Sequence, residues 1–338
     1  MFVKKRRLYF TMKAVLRSLW FLTRFAWEEA VLHRRMALRD VLKRVMWLLL
    51  NLRAHLPLFE VLDGQDAEVL ASSYFRIPYR RTLPYLSTAF DETQRTALAR
   101  SHAAFVSTRM GTALFAQITH TPLLLWSHPD PAAACTVTLA GPCPHREGGF
   151  TLQLRHEGTV LYRLAFSVVD LALAEPGQGV TGMGVFVGQV QGLPGQFQGI
   201  REATRACQDI APPDLLMAVL HGVADALGLD QVRAVRFEHC LSYLKMTQLP
   251  SHFDYAGFWQ ARWGAVEQGA HYAMRLPCQE KPLAEVQAKH RKRTQLKRAF
   301  KREAMVTARV ALAAQLAGVS RRPIGALRPA LRAALRRI

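Results

Sequence analysis

Met183-Gly184-Val185-Phe186-Val187-Gly188-Gln189-Val190-Gln191-Gly192-Leu193-Pro194-Gly195 is the run from which the rest of the chain can be read. Its first part alternates as a strand does. Val185, Val187, Gln189 and Gln191 share one face, and Phe186, Gly188 and Val190 share the other. Gly192, Pro194 and Gly195 then make a turn. A helix follows, with Ile200, Ala203, Thr204 and Cys207 on one side, and after Pro212-Pro213 comes a second apolar helix to Leu227. Strand, glycine turn, helix is a geometry that can aim backbone N–H groups at an anion. It is equally the form of an ordinary tight connection in a mixed fold, so the stretch suggests a site without naming a ligand.

Upstream of this run the period is also two. Thr121–Ser127, Cys135–Ala140, Phe150–His156 and Val160–Val169 read as strands joined by short turns, with Glu157-Gly158 as a hairpin turn. Downstream, Gly228 reads as a helix stop, Gln231 to Phe237 as a short strand, Phe253 to Trp263 as an aromatic helix and His271 to Leu276 as a last strand. Asp91 reads as the cap of a helix that continues to Phe105, with His102 a structural residue inside it. Adjacent strands with short turns imply an antiparallel meander rather than a βαβ array. The expected fold class is therefore α+β, an antiparallel-rich central sheet flanked by helices.

The charge is divided unevenly. Of a net +20 over 338 residues, residues 1–56 hold 13 Lys/Arg against 3 Asp/Glu, residues 57–284 hold 17 against 20, and residues 285–338 hold 15 against 2. Three regions follow: a basic amphipathic helical region over 1–56, an α+β domain over 57–304, and a basic Ala/Arg/Leu-rich tail over 305–338. Residues 57–90, punctuated by proline and tyrosine, read as a linker into the body, and 285–304 as a basic helix. Basic ends suit polyanions, an anionic membrane surface or envelope lipid first and nucleic acid second, because aromatics do not interleave with the basic run at 289–302. Trp20, Trp27 and Trp47 beside a cationic face fit a helix lying on a membrane, and equally an amphipath packed on the protein's own core.

Several chemistries are absent from the pattern. Five scattered cysteines with no C-x-x-C pair argue against a disulfide framework or a zinc ribbon. The histidines lack metal-ligand spacing, so no metal is expected. There is no Walker-type loop and no G-x-S-x-G elbow. Lys13, Arg17 and Arg24 interrupt any leader-like apolar core, and no window supplies the ~20 apolar residues of a bilayer span. A cytoplasmic protein, peripheral on the inner membrane, is the expectation.

The order of motifs resembles the VirK/YbjX family of bacterial proteins, a domain of unknown function. The matching pieces are His145-Arg146-Glu147-Gly148 leading into Thr151-Leu152-Gln153-Leu154, then Leu161 to Ser167, Val187 to Gly192, Ile200 to Arg205, Pro212 with Leu215-Leu216, Phe258-Trp259, and Lys289-His290-Arg291-Lys292-Arg293. They span roughly residues 55–305. The chain departs from the family pattern at Gln208-Asp209-Ile210-Ala211-Pro212, where His-Gly-x-Arg-Pro is usual, and at Phe237-Glu238, where an Asn is usual. The resemblance implies a cytoplasmic bacterial protein tied to the cell envelope, in a family linked to virulence, surface-protein localisation and resistance to cationic antimicrobial peptides. It implies no reaction.

The same order is also similar to an acyltransferase of the GNAT type, whose central strand ends in a Gln/Arg-x-x-Gly-x-Gly/Ala turn that holds the pyrophosphate of acyl-CoA. Here Gln189 to Gly195 would be that turn, although its spacing is imperfect and two helices stand where one is usual. On this analogy the donor is acyl-CoA or an acyl carrier protein thioester. Gln189, Gln191, Gly192, Gly195, Arg201 and Arg205 would hold it. His239 or Glu238, at the end of the late strand, would be the general base. His145, Arg146, Glu147 and Thr204 complete the candidates, as the substrate pocket. The rivals to this enzyme are a non-enzymatic peripheral membrane protein and a nucleic-acid-binding accessory.

Overall fold

The computed structural model describes residues 46, 84–142, 146–242, 253–278 and 280–318. Expectations for residues 1–45, 47–83, His145 and 319–338 lie outside the described residues.

Eight strands form a single sheet in the order β1-β2-β3-β4-β5-β6-β8-β7. They are β1 (Leu123–Ser127), β2 (Cys135–Ala140), β3 (Phe150–His156), β4 (Thr159–Asp170), β5 (Met183–Gly192), β6 (Gln231–Val235), β7 (Val266–Gln268) and β8 (His271–Arg275). The first five make the expected antiparallel meander. Glu157 and Gly158, both at positive φ, form the tight turn between β3 and β4, as a two-residue hairpin requires. β5 and β6 are the one parallel pair, joined by a helical crossover. β8 pairs antiparallel with β6, and β7 closes that edge. β7 escapes a reading by periodicity because it is three residues long and two of them are exposed.

The longer helices among the described residues are α1 (Glu92–Phe105), α2 (Thr112–His120), α3 (Phe197–Ala206), α4 (Pro212–Leu227) and α5 (Ala288–Ala317). Asp91 caps α1 as expected: its carboxylate accepts from Gln94 N at 2.7 Å, and the Gln94 side chain accepts from Asp91 N at 3.1 Å. α4 starts on Pro212-Pro213, where missing N–H groups cost nothing, and stops at Gly228 in the left-handed region. The aromatic stretch expected as a helix is helical over 255–263, widened to a π-helix at Gly257–Arg262, and it buries Phe258 and Trp259. Burial is unbroken from Leu164 to Val169 in β4 and from Gly184 to Val190 in β5. Such strands have no solvent face, because helices cover both sides of the sheet.

Two segments differ from their sequence reading. Tyr85, Leu86, Ser87 and Phe90, in the stretch read as a linker, belong to the core. Tyr85 and Leu86 are fully buried, the Tyr85 hydroxyl bonds Ser167 Oγ at 2.7 Å, and Leu86 N donates to Arg146 O at 3.1 Å. The basic helix is also longer than 285–304. It runs to Ala317, about 45 Å at the rise of an α-helix. Phe300, Ala304, Ala308, Leu312 and Leu316 recur every four residues along its buried side. That ridge lies on α4 and β1, and Trp126 Nε1 donates to Glu303 at 2.8 Å.

The α4–α5 contact is close enough to need a residue without a side chain. A Cβ on Gly222 would lie 2.1 Å from Met305 O and 3.1 Å from Arg309 N, both backbone atoms. Gly222→Val is therefore expected to push the helices apart and cost about 1–3 kcal/mol. Chemical denaturation would measure the loss, and limited proteolysis should show cleavage moving into α5.

Candidate functional site

β5 and β6 pair over Val185, Phe186 and Val187, and there the pairing stops. β5 continues to Gly192 with β4 on its other side. The edge vacated by β6 is taken up by side chains and a loop. The Tyr255 hydroxyl lies between the two backbone groups of Val190, accepting from Val190 N at 3.1 Å and donating to Val190 O at 3.2 Å as a strand neighbour would. Tyr255 is fully buried, and burial raises its pKa well above the ordinary phenol value. The loop 146–149 presses on Gly188, where an added Cβ would sit 2.1 Å from Glu147 O.

A polar cluster gathers at this parting of the strands. Glu147 is fully buried and accepts a hydrogen bond from Ser242 Oγ. Gln189, also buried, donates from Nε2 to Gln191 Oε1 at 2.8 Å and lies 3.4 Å from Ser242 Oγ. The Cys240 thiol donates to Arg236 O at 3.6 Å, and burial pushes its pKa up to about 12. Glu147, Gln189 and Gln191 were legible as candidates. Ser242, Cys240 and Tyr255 were not, because they stand far along the chain, beyond two helices and a strand, with no spacing pattern tying them to β5.

The turn beyond β5 is partly committed within the protein. Leu193 N donates to Leu161 O at 2.9 Å, and Gln196 N to Leu193 O at 3.3 Å. Gly192 is packed, its Cβ position 3.0 Å from the Tyr162 ring and 3.3 Å from Ile200. Gly195, at φ 76°, faces open space. α3 begins at Phe197 with no side-chain cap. Arg201 and Arg205 are exposed on α3. Thr204 bonds its own helix, Oγ1 to Ile200 O at 2.6 Å, which commits its hydroxyl proton there.

The two candidate bases stand in a short 3-10 turn, Phe237–His239, after β6. Glu238 is exposed and paired with Arg236 at 2.5 Å, and Arg236 also holds Glu267. His239 is half-buried, and its carbonyl accepts from Thr88 N at 2.9 Å. Arg146 takes a positive φ of 67°. His102 is structural, its Nδ1 3.2 Å from Val168 O and its ring edge-on to Phe150. Among the described residues no group of three or more His, Cys, Asp or Glu could hold a metal ion. No helix among them is long and apolar enough to cross a membrane.

The meander, the parallel pair with its two-helix crossover, and the buried Glu147 cluster define a mixed α+β protein with a polar site at a strand parting. This chain belongs to the family described as "Protein of unknown function (DUF535)", which matches residues 35–305. It is 27% identical over 279 residues to "Uncharacterized protein YbjX" of Escherichia coli (strain K12), a match covering 78% of each chain. The resemblance to the VirK/YbjX family is thus borne out. No solved structure matches the chain significantly.

Beside the site, His271 is buried between the rings of Phe90 and Phe186, at 5.0 and 4.9 Å. Burial, with help from His239 and Arg233, lowers its pKa to about 4. A histidine titrating near 6.5 when unfolded and near 4 when folded favours folding in its neutral form. Its contribution is full above pH 6.5 and is lost as pH falls towards 4. The loss should reach about 3 kcal/mol. Urea denaturation of wild type and His271→Phe across that range should show the slope flattened in the variant.

Proposed function

We propose that this protein is an acyl-thioester-dependent transferase with a GNAT-like site, acting on a lipid or envelope precursor at the cytoplasmic side of the bacterial envelope. The single observation that carries this reading is the early parting of β5 from β6 after Val187, followed by a glycine turn and a helix start. In an arrangement of that kind the phosphates of a donor lie on the turn, here beyond the part of the gap that Tyr255 fills. Gln191, Gly195 and the first turn of α3 would meet the donor, and Arg201 and Arg205 would neutralise its phosphates. His239 would take the proton of the attacking group, and Glu238 would tune it from the exposed side. Tyr255 already occupies Val190 N, so the thioester carbonyl would be met by another donor.

The test is thermal stability of the full chain with acetyl-, octanoyl- and palmitoyl-CoA and palmitoyl-loaded acyl carrier protein. A ligand at a hundred times its Kd should add about 2.7 kcal/mol. The double variant Arg201→Glu/Arg205→Glu is expected to weaken binding at least tenfold. Absence of stabilisation by every thioester would end the enzyme reading.

A second reading, a non-enzymatic peripheral protein that supports envelope components, is favoured by α5. That helix carries nine Lys/Arg against Glu303, and Leu296, Val306 and Val310 are exposed along it. Cationic and apolar groups together suit an anionic bilayer surface. The protein should sediment with phosphatidylglycerol vesicles and not with phosphatidylcholine vesicles, and release at about 1 M salt. Equal binding to both vesicle types would remove the electrostatic argument.

A further inference from the structure

The acyl-thioester reading leaves the pair formed by Ser242 and Glu147 without a role. Ser242 Oγ donates to Glu147, whose side chain is fully buried. A hydroxyl bonded to a carboxylate withdrawn from water is the pairing that turns a serine into a nucleophile. The carboxylate receives the proton as the oxygen attacks. Gln189 adds a third element. Its amide donates one N–H to Gln191 Oε1 at 2.8 Å and the other to the same hydroxyl oxygen at 3.4 Å. As Ser242 Oγ becomes an ester oxygen it accepts less well, and the second N–H can turn to the charge that grows on the attacked carbonyl. Cys240, two residues away, is the poorer nucleophile, since its thiol is buried and already donates to Arg236 O.

We infer that Ser242 is the acyl-accepting nucleophile of this protein, with Glu147 as its base and Gln189 as a donor to the oxyanion, so that transfer proceeds through an acyl-serine. The inference rests on the acyl-thioester reading and adds a covalent intermediate to it. Ser242 Oγ bonds to the thioester carbonyl carbon while its proton passes to Glu147. The carbon–sulfur bond then breaks, and the proton moves from Glu147 to the leaving thiolate. The products are a serine ester and a free thiol, with no change in oxidation state. In the second half an acceptor hydroxyl or amine attacks the ester, gives up its proton, and Ser242 recovers its own.

The experiment is rapid acid quench of the full chain with acetyl-, octanoyl- and palmitoyl-CoA. Intact mass, peptide mapping and released thiol are then measured, beside thermal stabilisation by the same thioesters. One acyl group on Ser242, with a stoichiometric burst of thiol, is expected. Ser242→Ala should lose the adduct and keep the stabilisation. Glu147→Gln should keep the stabilisation and slow acylation by about 100-fold or more. Stabilisation with no adduct, with the adduct on Cys240, or with acylation unchanged in Ser242→Ala overturns the nucleophile and leaves the thioester reading standing. Neither stabilisation nor adduct ends both.

Discussion

A strand that loses its neighbour inside a protein must find other partners for its backbone groups, and much of this structure answers that demand. β5 is buried to Val190, yet β6 accompanies it only as far as Val187. An unpaired buried amide costs free energy on the scale of a whole hydrogen bond. Tyr255 supplies what a strand would have supplied, one acceptor and one donor to the two groups of Val190. The loop at Glu147 closes on Gly188, where any side chain would strike its carbonyl. Repairing the edge with a phenol and a loop, instead of a strand, brings side chains from four distant parts of the chain to one place.

That place is polar for a reason rooted in the repair. A loop brought against a buried strand carries its own side chain in with it, and here that side chain is a carboxylate. Burying a carboxylate without a partner would be severely unfavourable, so Ser242 is drawn to it. The amides of Gln189 and Gln191 orient each other alongside. The fold thus holds an acid–hydroxyl–amide cluster beside the glycine turn and the exposed arginines of α3.

The charge asymmetry has a different origin. α5 spends one side on the core, through Phe300, Ala304, Ala308, Leu312 and Leu316. Its arginines and lysines are mostly left facing water. Arg293 pairs with Asp209 at 2.7 Å, and Lys297 reaches the carbonyl of that residue at 2.6 Å. Beside these contacts Gln208 and Asp209 both take positive φ.

Local pattern determined a good deal. Period-two alternation placed β2 and β3 to the residue and the other long strands to within a residue or two, because each strand's own side chains record which way it faces. Asp91 and Gly228 marked helix ends because capping acts within one turn. Gln189, Gln191 and Glu147 could be singled out from motifs near the decisive run. Tertiary structure decided the rest. Tyr255 and Ser242 come to the site from far along the chain, and no periodicity links residues 147, 189, 242 and 255. Thr204 and Glu238 looked available in the sequence, yet each is held by a nearby group, a helix carbonyl in one case and Arg236 in the other. Tyr85, Leu86, Ser87 and Phe90 stand in a stretch with the punctuation of a linker but lie in the core, since burial depends on what surrounds a segment. A sequence records the preferences of neighbouring residues, whereas the partners of a buried polar atom are settled when the whole chain closes around it.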